Sequence, residues 1–149
     1  MSKRILVPSV IGAIALGALA AGGYAVASAP AGPSVEHGSA RYAAPSPRTA
    51  GALTYTADVT DDSGVRSLKV LAWPRSSKLD PTEAEMRFVE AAVCRSTSDT
   101  TSRCTYTLKV TQQEAAGLAE GAWDVSVLAT AKDGGTTFVP RAATFAITR

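Results

Sequence analysis

The sequence predicts an all-β protein, an antiparallel β-sandwich with one inserted short helix. Three observations lead there. From residue 52 onward, apolar and polar residues alternate with the period of two that a half-buried strand needs. Turn residues interrupt the alternation at intervals of about ten residues, as they do where short strands follow one another. Only one stretch, Pro81 to Ala91, has both a helix start signal and apolar residues at helical spacing. Six or seven short strands with a single helix between them must bury their apolar faces against each other, which is a two-sheet solution.

The chain opens with a segment that reads as an address. Lys3 and Arg4 precede a charge-free run, Ile5 to Ala29, in which small residues gather at the end, the pattern of a secretory signal. Cleavage is expected after Ala27, because cleavage after Ala29 would put Pro30 beside the scissile bond. The signal peptide is therefore residues 1–27 and the protein is expected to be secreted. The competing expectation is an uncleaved membrane anchor, since the run is long enough to span a bilayer. Gly22, Gly23 and the alanines make its distal half weakly apolar and favour cleavage. Residues 28–51, rich in Ala, Pro, Ser and Gly and without an apolar period, are expected to form a disordered tether. His37, the only histidine, falls within it and is expected to be solvated, without the fixed partner that catalysis requires.

The sandwich is expected over 52–149. Leu53, Tyr55, Ala57 and Val59 share one face of the first strand, with Thr54, Thr56 and Asp58 on the other. Asp58, Asp61 and Asp62 then crowd the next turn, and Asp133 lies at another strand end. Together these four carboxylates are a weak candidate for calcium, a cation that seeks six to eight oxygens. The favoured reading is turn chemistry, because Asp and Ser before Gly hydrogen-bond their own backbone and no EF-hand spacing is present. No metal and no cofactor are expected.

A second strand places Leu68, Val70 and Ala72 inward and Leu71 and Trp73 opposite, and ends at Pro74. Trp73 is the possible ligand contact, able to stack on a sugar or anchor a protein if exposed; covering the edge of the core is its commoner role. The helix is expected from Pro81, with Asp80 as N-cap and Glu83 completing a capping box. A second short helical turn is expected near Thr111–Gly121. Two more strands follow, one with Cys104, Tyr106, Leu108 and Val110 inward and one with Trp123, Val125, Val127 and Ala129 inward. The final strand carries Ala143, Phe145 and Ile147, and Thr136–Val139 is expected to pair through the Asp133-Gly134-Gly135 turn.

Cys94 and Cys104 are the only cysteines. In an exported chain they read as one disulfide, and a hairpin turning through Ser98, Asp99 and Thr100 would set them opposite each other. Setting aside Lys3 and Arg4 leaves thirteen basic and thirteen acidic residues. This balance offers no electrostatic footprint to nucleic acid. An enzyme is not expected: the part expected to fold has no histidine and no Gly-x-Ser-x-Gly elbow. Glu83, Glu85 and Glu90 lie close enough for paired-carboxylate chemistry, but acids in a first helical turn ordinarily complement the helix dipole.

Two stretches resemble a known type of module. Asp58–Pro74 (DVTDDSGVRSLKVLAWP) is similar to the first hairpin of bacterial immunoglobulin-like and fibronectin-type-III-like domains, and Leu118–Gly135 (LAEGAWDVSVLATAKDGG) resembles a later strand of the same domains. With the signal and tether, the whole resembles the small secreted actinobacterial proteins built on such a domain. The resemblance implies an immunoglobulin-like antiparallel β-sandwich but no reaction. The cysteines are too close in sequence for the inter-sheet bridge of antibody domains. The expected role is a secreted, non-enzymatic binding or cell-envelope interaction module whose partner is a protein or a cell-wall polysaccharide. The alternative is an exported carbohydrate-binding or inhibitor-type protein using Trp73 or the hairpin between Cys94 and Cys104. A membrane would be met only through the first segment, if it is retained.

Overall fold

A computed structural model describes residues 29–149; the segment 1–27, expected to be a signal, lies outside the described residues. The strands are β1 (Ser34–Ala43), β2 (Gly51–Thr60), β3 (Val65–Pro74), β4 (Val93–Ser96), β5 (Thr101–Val110), β6 (Gly121–Ala131) and β7 (Thr136–Ile147), with short helices α1 (Glu83–Met86) and α2 (Gln112–Gly117). One sheet has the order β1-β2-β5-β4 and the other β3-β6-β7, with every pairing antiparallel. Lettered along the chain, this is the ABED and CFG order of a constant-type immunoglobulin sandwich. The alternation in the sequence drives the packing: Tyr55, Val59, Leu68, Val70, Val125 and Val127 meet between the sheets with almost no exposure. Each such side chain contributes about 1.5–3 kcal/mol relative to leaving it in water. Among the described residues no helix is long and apolar enough to cross a membrane.

The tether expected over 28–51 is corrected. Its central part is β1, paired with β2 from Ser34↔Thr60 to Ala43↔Ala52. The strand escapes sequence reading because only Val35, Ala40 and Tyr42 of its ten residues are even half-buried. A bulge between Glu36 and Ser39 also breaks its alternation. Its order comes from the hydrogen-bond ladder to β2 together with Val35 and Ala40, which pack against the core.

The bulge has a steric cause. His37 takes a left-handed φ of 53°, and the next residue, Gly38, lies over Tyr55, so close that a Cβ there would sit 2.8 Å from the Tyr55 hydroxyl. Tyr55 is fully buried and that hydroxyl has no hydrogen-bond partner; burial pushes its pKa up to about 12. Gly38→Ala is expected to cost about 1–3 kcal/mol through overpacking, while Tyr55→Phe raises stability by about 1 kcal/mol by removing an unpaired buried group. In the Tyr55→Phe background the Gly38→Ala penalty shrinks, a coupling that urea unfolding of the four proteins in a double-mutant cycle would detect. Equal penalties in both backgrounds would rule this account out.

The helices also differ from expectation. α1 is a single turn, capped by Thr82, whose hydroxyl accepts from Glu85 N while Glu85 accepts from Thr82 N at 2.8 Å. The capping box thus sits two residues beyond the Asp80–Glu83 pair. The chain leaves the helix because a β alternative captures it. Val70 N donates to Glu90 O and Ala92 N to Leu68 O, so Ala91 bridges Lys69 on the edge of β3. Val93–Ser96 then crosses to the other sheet and pairs with β5. α2 is a second short helix, with a Thr111–Glu114 capping box. Gly121 opens β6 with a φ of 105° and does not terminate that helix.

The hairpin expected at Asp133–Gly135 joins β6 and β7, with Gly134 at φ 92° and Asp133 Oδ1 accepting from Gly135 N. β7 runs on through Pro140, where the register against β6 shifts between Val125 and Val127 and makes room for a residue with no N–H to donate.

Candidate functional site

Trp73 is not available to a ligand. Its face of β3 points away from the apolar trio as expected, but that face is covered, and Trp73 is only 3% exposed. Its indole N–H donates to Ser126 Oγ at 2.9 Å, Ser126 in turn donates to Pro140 O, and the Arg141 guanidinium lies 5.9 Å over the ring. Beside it, the fully buried Asp124 accepts two bonds from Arg75, at 2.7 and 3.0 Å, with Arg141 at 3.6 Å. Arg75 holds the Asp124 carboxyl below the usual carboxylate range, against the opposing effect of burial. This cluster closes the outer face of the three-stranded sheet.

The four aspartates weighed for calcium are not brought together. Asp61 accepts from the backbone and hydroxyl of Ser63 and so makes the turn before Gly64, as turn chemistry requires. Asp133 caps its own turn, linked to the first through Ser63 Oγ, which accepts from Asp133 N. Asp58 is on β2 and faces outward, while Asp62 is exposed. Among the described residues no group of three or more His, Cys, Asp or Glu side chains could hold a metal ion. The three glutamates are likewise separated in role: Glu83 accepts from Thr136, Glu85 caps α1, and Glu90 accepts from Tyr106.

What the structure does assemble is the outer face of the four-stranded sheet at the disulfide hairpin. Cys94 and Cys104 are direct cross-strand partners and are bonded. The turn between them is tied by Thr97 N and Ser98 N to Thr101 O, and by Ser98 Oγ accepting from Thr101 N. Because the cysteines point inward, their neighbours Val93, Arg95, Arg103 and Thr105 point outward. The registers then align one charged row across all four strands: Glu36 opposite Asp58, Asp58 opposite Arg103, Arg103 opposite Arg95. Arg103 donates to both Asp58 oxygens, at 2.6 and 3.2 Å, and His37 Nδ1 lies 3.2 Å from Asp58 Oδ2. The Arg103 hydrogen bond comes first in holding the Asp58 carboxyl below its ordinary pKa, with the charge of Arg103 and then His37 adding to it.

The expectation that His37 lacks a fixed partner is therefore corrected. The signal was unreadable because Asp58 is 21 residues away and the bulge that aims His37 at it is a tertiary feature. Among the described residues no hydroxyl or thiol is hydrogen-bonded to His37; its side-chain partner is Asp58. Next to this row an open concavity of about 720 Å³ is lined by Glu90, Arg95, Arg103, Thr105, Tyr106 and Thr107, among others. The Tyr106 hydroxyl donates to Glu90 at 3.0 Å. Burial, then that bond, pushes the phenol up to about 12, so it remains a neutral donor. Arg95 has no ion-pair partner among the described residues. The surface thus offers one unpaired guanidinium, one shared guanidinium and a set of hydroxyls to an acceptor-rich ligand.

A family model described as a family of unknown function, DUF5707, matches residues 35–129, beginning at the second residue of β1 and ending within β6. No curated protein and no solved structure matches the chain.

Proposed function

This chain belongs to the DUF5707 family of unknown function, and from that premise we propose its role from its own surface chemistry. It is a secreted, non-enzymatic immunoglobulin-like binding module that engages the cell envelope through the outer face of the disulfide hairpin. The ligand class that face suits is an anionic, hydroxyl-rich cell-wall polysaccharide. The supporting observation is the cross-strand pair Arg95↔Arg103. Like charges directly opposite in a sheet destabilise it, and the pair becomes favourable when an anion lies between the two guanidiniums, which bind carboxylate and phosphate bidentately. Thr105, Thr107 and Tyr106 around it can meet sugar hydroxyls. Trp73 has no part in this reading.

A protein partner is the second reading, favoured by the exposed apolar pair Phe88 and Val93, 90% and 65% exposed. Retention on isolated cell-wall polysaccharide separates the two. Wild type is expected to bind and to release as salt rises through the range that screens surface charge. Arg95→Ala should weaken binding about tenfold, the loss of one charge-assisted hydrogen bond, with a melting temperature no lower than the wild type's, because Arg95 has no ion-pair partner among the described residues and faces a like charge in Arg103. No retention of the wild type would turn the assignment toward a protein ligand, and equal retention of Arg95→Ala would remove the hairpin face from the assignment.

A further inference from the structure

The two halves of the sandwich core are unequally filled. Around Val59, Leu68 and Val127 the sheets are closed. At the other end, near Trp123, a cavity of about 170 Å³ remains between them. We infer that this cavity is a binding site for a neutral apolar group the size of one aromatic ring. It lies against the inner row Tyr42–Leu53–Leu108 of one sheet and the cross-strand pair Trp123–Phe145 of the other, whose rings stack at 5.8 Å and 30°.

Size, chemistry and access all point to that ligand. The volume is close to that of an apolar cavity known to stay dry and take up benzene. None of the lining residues is charged, and the one indole N–H in the wall, from Trp123, already donates to Ala119 O at 2.9 Å. The Tyr106 hydroxyl in the wall likewise donates elsewhere, to Glu90, so the lining is mainly apolar and a ligand needs no polar group to fit it. Access follows from strand lengths: β4 pairs with β5 only from Ser102 to Thr105, so the Tyr106–Val110 half of β5 is a free edge. There Leu108 is 44% exposed while also lining the cavity. Leu118, just after α2, closes another side, and its carbonyl is held by Arg149 at 2.8 Å. This site is distinct from the charged hairpin face; Tyr106 is the wall between them, lining both.

The test is an NMR titration of the folded protein with toluene, read at methyl groups and at Trp123. Saturable shifts are expected for Leu53, Leu108, Val110, Leu118 and Ile147, with Val59 and Val127 unmoved. Ala72→Phe, which fills the cavity, should abolish saturation; should that variant fail to fold, Leu108→Phe at the exposed mouth should weaken binding at least tenfold. Shifts that do not saturate, that spread equally to Val59 and Val127, or that persist unchanged in a folded filling variant would overturn the assignment.

Discussion

Asp124→Asn is expected to lower the unfolding free energy by about 3 kcal/mol, as breaking a buried ion pair does. In a domain of this size that is a fall in melting temperature of roughly 10 °C or more. The substitution keeps the volume but places an amide N–H₂ against the N–H groups of Arg75 and Arg141, which now deliver two bonds and a close charge to a carboxylate with no exposure. The same loss unpins Arg141 from its position over Trp73. The pH dependence has a definite sign. Arg75 depresses the Asp124 carboxyl in the folded state, so the stabilisation is fully present above the ordinary carboxylate value near 4 and disappears as pH falls through the folded value. Asp58, Glu85 and Glu114 are depressed as well, so the wild type weakens in acid for several reasons. The specific expectation is that the gap between wild type and Asp124→Asn narrows below about pH 4. Thermal melts from pH 7 to pH 3 measure it; a gap that stays constant would show that the Asp124 charge is not what stabilises the pair.

Removing the disulfide should cost a comparable amount. Cys94 and Cys104 are ten residues apart in sequence. Closing a loop of that length restricts the unfolded chain by about 3 kcal/mol in the chain-entropy model. The Cys94→Ala/Cys104→Ala variant is expected to lose about that much in urea unfolding, with little change in the folded hairpin, because the β4–β5 ladder and the Thr97–Thr101 turn do not depend on the bond. Reducing agent should produce the same shift in the wild type and none in the variant. A shift under about 1 kcal/mol would mean that the reduced, unfolded chain already holds the hairpin together. Because the folded hairpin keeps Arg95 opposite Arg103 through the same ladder, the contribution of Arg95 to binding is expected to survive reduction as long as the protein stays folded.

Much of the sandwich was legible because strands announce themselves through burial. In β2 every inward position is buried and every outward one is half-exposed, so period two is written directly in the residues. The turns at Asp61–Gly64 and Asp133–Gly135 were legible for a similar reason: a short acidic side chain beside glycine satisfies its own backbone, and does so wherever the chain is placed. The Cys94–Cys104 pairing followed from symmetry about Asp99, which the β4–β5 register realises.

The candidate site was not legible to the same degree. β1 reads as a tether because an edge strand with one bulge and three half-buried side chains has the composition of disorder, and only pairing with β2 distinguishes the two. Trp73 reads as exposed because its alternation places it outside the core; the segment that covers it comes from Arg75, Asp124 and Arg141, two of them about fifty or more residues away.

By itself, the sequence determined which residues alternate, where the chain turns, and that two cysteines close a hairpin, since each depends on neighbours a few residues apart. Only the tertiary structure decided that Glu36, Asp58, Arg103 and Arg95 form one row, that His37 has a partner, and that a cavity remains beside Trp123. The reason is physical: in a sheet, side chains that touch across strands are set by register, and register is a property of the assembled ladder, here joining Asp58 to Arg103 across forty-five residues of chain.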